Sequence, residues 1–167
     1  MPPHELPRSD TGFRMARAGE RPRDRFGRPL PRGARDELPG RQDPDDVVTT
    51  VDEAFAQGAV LFDAGRFFEA HEFFEWIWKC DAVDPADRDF WKGVTQVAVG
   101  CVHTQRRNAT GALTLLERAA GHLDPYPSPH LGVDTAALAA AARAVAAVVR
   151  NHGPSPELAF PRLPRTG

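Results

Sequence analysis

His71, Glu72 and Glu75 stand in one run, Phe62 to Lys79, that reads FDAGRFFEAHEFFEWIWK, and their types and spacing are those of groups that can do chemistry. At about 100° per residue, two residues four apart share one face of a helix, so His71 and Glu75 look the same way. Two ligands so placed can hold one metal ion, the arrangement zinc proteases use in H-E-x-x-H. His103 from a later helix would complete a facial His71/Glu75/His103 set suited to zinc, iron or manganese. Gln96 would orient a ligand or a bound water. Glu72 is the general base that a metal-dependent hydrolase would draw on, although it points about 100° away from His71, toward Lys79.

The same face of this helix carries Phe67, Phe68, Phe74 and Trp78. An ionisable pair inside an aromatic stripe is costly unless it is paired or used. A second reading therefore stands beside the metal site. A neutral His71 bonded to Glu75, with Gln96 and His103 on the facing helix, satisfies its own polar groups and sets the packing register. A third reading concerns the whole module. LFDAGRFFEA and ALTLLERAA look like the helices of a tetratricopeptide-type interaction domain, without its period of about 34 residues. Trp76 and Trp91, on the exposed side, would then anchor a protein partner or a second copy in a homo-oligomer; the plainer reading, slightly favoured, is that both cover the edge of the core.

The elements that must position these residues are helical. Asp43 caps a first helix that begins at Pro44 and runs to Phe62, stopped by Gly65. A second covers about 66–80, and DAVDPAD at 81–87 is a loop. A third, from about Pro85 or Asp87 to Arg107, is apolar on nearly every face through VTQVAVGCV, as a central buried helix is. Gly93 and Gly100 would let a neighbour come close to it, and Lys92, Gln96, His103 and Arg107 line one side. Asn108 or Thr110 caps a fourth helix that ends at Asp124, and Asp134 caps a fifth that is closed by Gly153. No alternating strand pattern occurs. The expectation is an all-α single helical bundle of about five helices over residues 43–153. It follows a disordered Arg/Pro-rich arm, 1–42, and precedes an extended Pro-rich tail, 154–167.

In order, G-R-F-F-E-A-H-E-F-F-E-W-I-W at 65–78, F-W-K-G-V-T-Q-V-A-V at 90–99 and N-A-T-G-A at 108–112 resemble the helical-bundle family known as domain of unknown function 309. The resemblance rests on His71, Glu72, Glu75 and Trp78, then Gly93, Gln96, Ala98 and His103, then Asn108, Gly111 and Ala112. It implies a small all-α fold and no particular activity. The polar cluster to examine is thus His71, Glu75, Trp78, Gln96, His103 and Asn108.

Composition sets outer limits. The 167 residues are 41% hydrophobic and 26% charged, ordinary for a globular protein. No apolar run reaches the ~18 residues of a membrane span, and no secretory signal is seen. Cys80 and Cys101 match no disulfide framework or zinc spacing, so the cytoplasm is the expected compartment. The arm carries ten Arg against six acids, but the acids interrupt the positive charge and few aromatics accompany it, which argues against nucleic acid. There is no Gly-rich phosphate loop, and Ser9, Ser128 and Ser155 lack a triad context. His122, His130 and His152 read as surface residues. The expected ligand is an unidentified small molecule or protein partner.

Overall fold

A computed structural model describes residues 21–38 and 40–166. Two compact units divide between Arg41 and Gln42. Of the arm expected to be disordered, residues 1–20 lie outside the described residues. In the remainder of the first unit, carboxylates organise turns. Asp24 Oδ1 accepts from the backbone N–H of Phe26 and of Arg28, both at 2.9 Å. Asp36 Oδ1 accepts from Arg23 at 3.1 Å and from Leu38 at 3.2 Å. Short acceptor side chains of this kind compete well for local N–H groups, and they favour turns over helix.

The second unit is all helical: α1 (Pro44–Val47), α2 (Val51–Asp63), α3 (Phe67–Lys79), a 3-10 turn (Pro85–Asp87), α4 (Arg88–Gln105), α5 (Ala109–Leu123) and α6 (Thr135–His152). Among the described residues there are no strands, only isolated bridges. The first helix expected from the sequence is two. Val48, Thr49 and Thr50 are β-branched and poor helix formers, and Thr50 makes a capping box with Glu53 that starts α2 afresh. Asp43 caps α1 as expected.

Helix α4 is the central rod. It packs on α3 and on α5, while α2 packs on α3 and α6 on α5. Close approach needs glycine at Gly100, where a Cβ would meet Leu116 Cγ at 2.6 Å. Phe62, Phe67, Phe73, Phe74 and Phe90 fill the core and are fully buried. Each such side chain contributes roughly 1.5–3 kcal/mol on leaving water. Between α2 and α3 the chain turns on Gly65 at φ +73, and Gln105 Nε2 holds that turn by donating to the Gly65 carbonyl at 2.9 Å.

The C-terminal tail has no helix, yet it is fastened to the bundle. Leu163 is buried and its N–H donates to Asp63 Oδ1 at 2.7 Å; Arg165 Nη2 reaches Asp63 Oδ2 at 2.8 Å. Phe160 packs against Phe67 with ring centres 4.9 Å apart and the planes inclined at 60°. No helix among the described residues is long and apolar enough to cross a membrane.

Candidate functional site

Three helices bound one open cavity of about 480 Å³. Helix α3 contributes His71, Glu75 and Trp78, at i, i+4 and i+7. Helix α4 contributes Lys92, Thr95, Gln96 and Val99, at i, i+3, i+4 and i+7, and α5 contributes His122. Both sets are single faces of a helix, which is why the spacing of His71 to Glu75 and of Lys92 to Gln96 foretold their meeting. Of the expected cluster, His71, Glu75, Trp78 and Gln96 come together here.

Each side chain is held differently. His71 Nδ1–H donates to the Phe68 carbonyl one turn earlier, which fixes that nitrogen as protonated. The other ring nitrogen, Nε2, lies 3.8 Å from Glu75 Oε2. Glu75 Oε1 is engaged by Lys79 one turn on. The Lys92 ammonium lies 5.2 Å from the centre of the Trp78 ring and that of Lys79 5.3 Å from it, so the only two lysines of the chain attend one tryptophan. Thr95 Oγ1 donates to the Trp91 carbonyl at 2.7 Å, so its hydroxyl is occupied. The Gln96 side-chain oxygen is shut from solvent and accepts no hydrogen bond from the protein.

The expected His71/Glu75/His103 metal triad is not assembled. His103 does not line the cavity. Its Nδ1 instead accepts from Asn108 Nδ2 at 3.1 Å. Burial, with the Arg106 guanidinium nearby, holds the His103 imidazole below its ordinary pKa of 6.5, in keeping with an accepting nitrogen. Asn108 Oδ1 accepts from the Gly111 N–H at 3.0 Å, so this residue is a helix cap rather than part of the cavity. Among the described residues no group of three or more His, Cys, Asp or Glu side chains is placed to hold a metal ion. Glu72 is half-buried and does not line the cavity either, because it sits one residue round the helix from His71.

Other sequence readings also change. His122 is half-buried in the cavity rather than on the open surface. The signal was Gly93: a Cβ there would lie 3.1 Å from His122 Cβ, so the missing side chain admits the histidine. Lys92, on the same side of α4 as Gln96, joins the cluster as well. Glu75 lies at the rim of α3, and the buried acid of that helix is Glu69, 5% exposed and clamped by Arg66 through two bonds of 2.7 Å. Trp91 is 3% exposed and belongs to the core, which removes it as a partner anchor and agrees with the plainer reading of it as core cover. Trp76 is half-buried and donates from Nε1 to Asp45 Oδ1 at 2.9 Å, which binds α3 to α1 and accounts for an aromatic at a polar position of the wheel. His130 is no free surface group, since its Nε2 meets Asp87 Oδ1 at 2.8 Å.

Comparison with known proteins agrees with the motif. A stretch of 65 residues is 38% identical to the uncharacterised protein YpuF of Bacillus subtilis (strain 168), covering 38% of this chain and 37% of that protein. The match thus spans little over a third of the curated relative. No solved structure matches significantly. Residues 55–115 match the family model described as a domain of unknown function, DUF309. The segment that supplies His71, Glu75, Trp78, Lys92 and Gln96 is therefore a DUF309 domain.

Proposed function

We propose that the cavity between α3, α4 and α5 is a small-molecule binding site and that this DUF309 chain is a ligand-binding domain. The observation that carries the reading is the cavity itself, which three helices line with an indole, two imidazoles, an ammonium, a carboxylate and an amide. Its size is that of ordinary ligand pockets, which run from about 300 to 1,000 Å³. Trp78 and Val99 offer apolar contact, and Lys92 offers a charge beside the imidazoles of His71 and His122.

Any acid–base chemistry at this site falls to His71, whose Nδ1 is fixed by the Phe68 carbonyl and whose Nε2 lies on the side of Glu75. Glu72, turned off the cavity, has no part in it. Among the described residues no three such side chains converge to hold a metal, so the reading does not rest on one. The test is a ligand-observed NMR screen of a mixed fragment collection against the full chain, repeated on Gln96→Leu. Fragments that bind the wild type and not the variant support the site; a screen in which both bind the same fragments equally, or neither binds any, overturns it.

A further inference from the structure

We propose that a second cavity, which shares no lining residue with the first, binds a small organic amine through its ammonium and through an oxygen acceptor. This cavity, of about 430 Å³, lies where the start of α2, the 81–87 segment and the first turn of α4 come together. Phe55 and Trp91 meet edge to face in its wall, with ring centres 5.5 Å apart. The charge around it is of one sign. Asp52, Asp84 and Asp87 line it, with no Lys, Arg or His among its described lining residues. Asp84 Oδ1 accepts from the Ala86 N–H at 2.9 Å, and Asp87 Oδ1 from His130 Nε2 at 2.8 Å, so the fold engages one oxygen of each. Asp52 makes no hydrogen bond or ion pair among the described residues.

Acids at helix starts are ordinary, because the dipole favours them there. What marks this place is Trp91. It is 3% exposed, and its one polar side-chain atom, the indole Nε1–H, donates and cannot accept. Among the described residues that N–H makes no hydrogen bond, and yet it is not one of the buried polar atoms shut from solvent. A side chain so enclosed meets solvent where it borders the cavity, so the N–H is a donor turned to that space without a partner. The Trp76 indole, by contrast, is matched by Asp45. Polar groups in an interior are normally paired, and a ligand oxygen would pair this one. The three carboxylates select a cation. Among the described residues no three His, Cys, Asp or Glu side chains are placed to hold a metal ion. An aromatic wall suits the apolar body of an amine, which also spans carboxylates set too far apart for a metal.

The experiment is an NMR titration of the ¹⁵N-labelled full chain, read at its three indole N–H signals. Trp91 reports this cavity, Trp78 reports the first, and Trp76 lines neither. The probes are 2-methoxyethylamine and 3-methoxypropylamine, their isosteres butylamine and pentylamine, neutral 1,2-dimethoxyethane, the acid 4-methoxybutyrate, and Nα-acetyl-lysine methylamide. The chains are wild type, Asp52→Asn and Asp52→Asn/Asp84→Asn, and unchanged backbone shifts in α5 and α6 establish that the variants are folded. The amines are expected to move the Trp91 signal and leave Trp76 in place. The better-fitting ether amine should bind roughly two- to tenfold tighter than its isostere, the effect of one hydrogen bond. Each Asn substitution should weaken it roughly two- to fivefold, as loss of a part-exposed charge does. Weaker binding of the lysine derivative than of butylamine supports a free amine; tighter binding puts a protein lysine in its place and overturns the small molecule. Ether amines no tighter than their isosteres overturn the acceptor. The site is overturned if the acid or the neutral ether binds as tightly as the amines, if the double variant binds them unchanged, or if no amine moves Trp91.

Discussion

Asn108 donates from Nδ2 to Nδ1 of His103 at 3.1 Å while its own Oδ1 caps α5 through the Gly111 N–H. One short side chain thus joins the last turn of α4 to the first turn of α5, and it gives His103 Nδ1 a partner away from the cavity. Asn108→Ala removes both bonds. The expected loss is ~1–2 kcal/mol, at the upper end for a single N-cap, read as a lower midpoint in urea unfolding with unchanged slope.

His103 also makes stability depend on pH. Its folded pKa is lowered, first by burial and then by Arg106, so between that value and the ordinary 6.5 the unfolded chain binds more protons than the folded one. The contribution is intact above about pH 6.5 and declines as pH falls below it. His103→Gln, which cannot charge, is expected to flatten the fall in urea midpoint between pH 7.5 and pH 5.5. A midpoint that falls as steeply in the variant would assign the pH dependence to other groups.

The notch at Gly100 predicts a coupling. Gly100→Ala gains about 1 kcal/mol of helix propensity but forces its methyl against Leu116, and overpacking of that kind costs ~1–3 kcal/mol. In a Leu116→Ala background the clash is gone, and the same substitution becomes neutral or stabilising. A double-mutant cycle by denaturant unfolding measures the difference. Equal effects in the two backgrounds would mean that α4 and α5 do not meet at this point.

Asp63 fastens the C-terminal tail by accepting from the Leu163 N–H and from Arg165. In Asp63→Ala the buried N–H of Leu163 loses its partner, an expected loss of ~1–3 kcal/mol. Limited proteolysis should then cut within residues 154–166 sooner than in the wild type. Cleavage at the same rate in both would show that Phe160 and Leu163 hold the tail by apolar contact alone.

The two thiols should separate cleanly. Cys101 is fully buried, and burial pushes its thiol far above the usual range, so little thiolate forms. Cys80 is half-buried. A disulfide reagent added to the native protein is expected to modify one thiol promptly and the second only on unfolding. Prompt reaction of both in the native protein would show α4 opening on the time scale of the assay.

Much of this molecule is written in local patterns. The 3.6-residue period placed α3, α4, α5 and α6, the caps at Asp43, Asn108 and Asp134 fall where side-chain chemistry demands, and the apolar run of α4 announced the central rod. Periodicity also put His71 with Glu75 and Lys92 with Gln96, because residues four apart on a helix have no other choice. The break at Val48–Thr50 was legible too, in a β-branched run followed by Thr50-x-x-Glu53, although helical spacing across it masked the signal.

What the sequence could not decide is how far along their axes two helices meet. A helical wheel reports direction and is silent on height, so Gln96 and His103 looked equivalent on α4 while lying about 10 Å apart along it. Only the packing of α3 and α5 on α4 selects the level, and it selects Lys92 to Val99. That choice brings in His122 through the gap at Gly93 and leaves His103 to Asn108. The fold of this chain is thus a property of its local periodicities, and its cavity is a property of the register between helices, which is set by interlocking side chains from distant parts of the sequence.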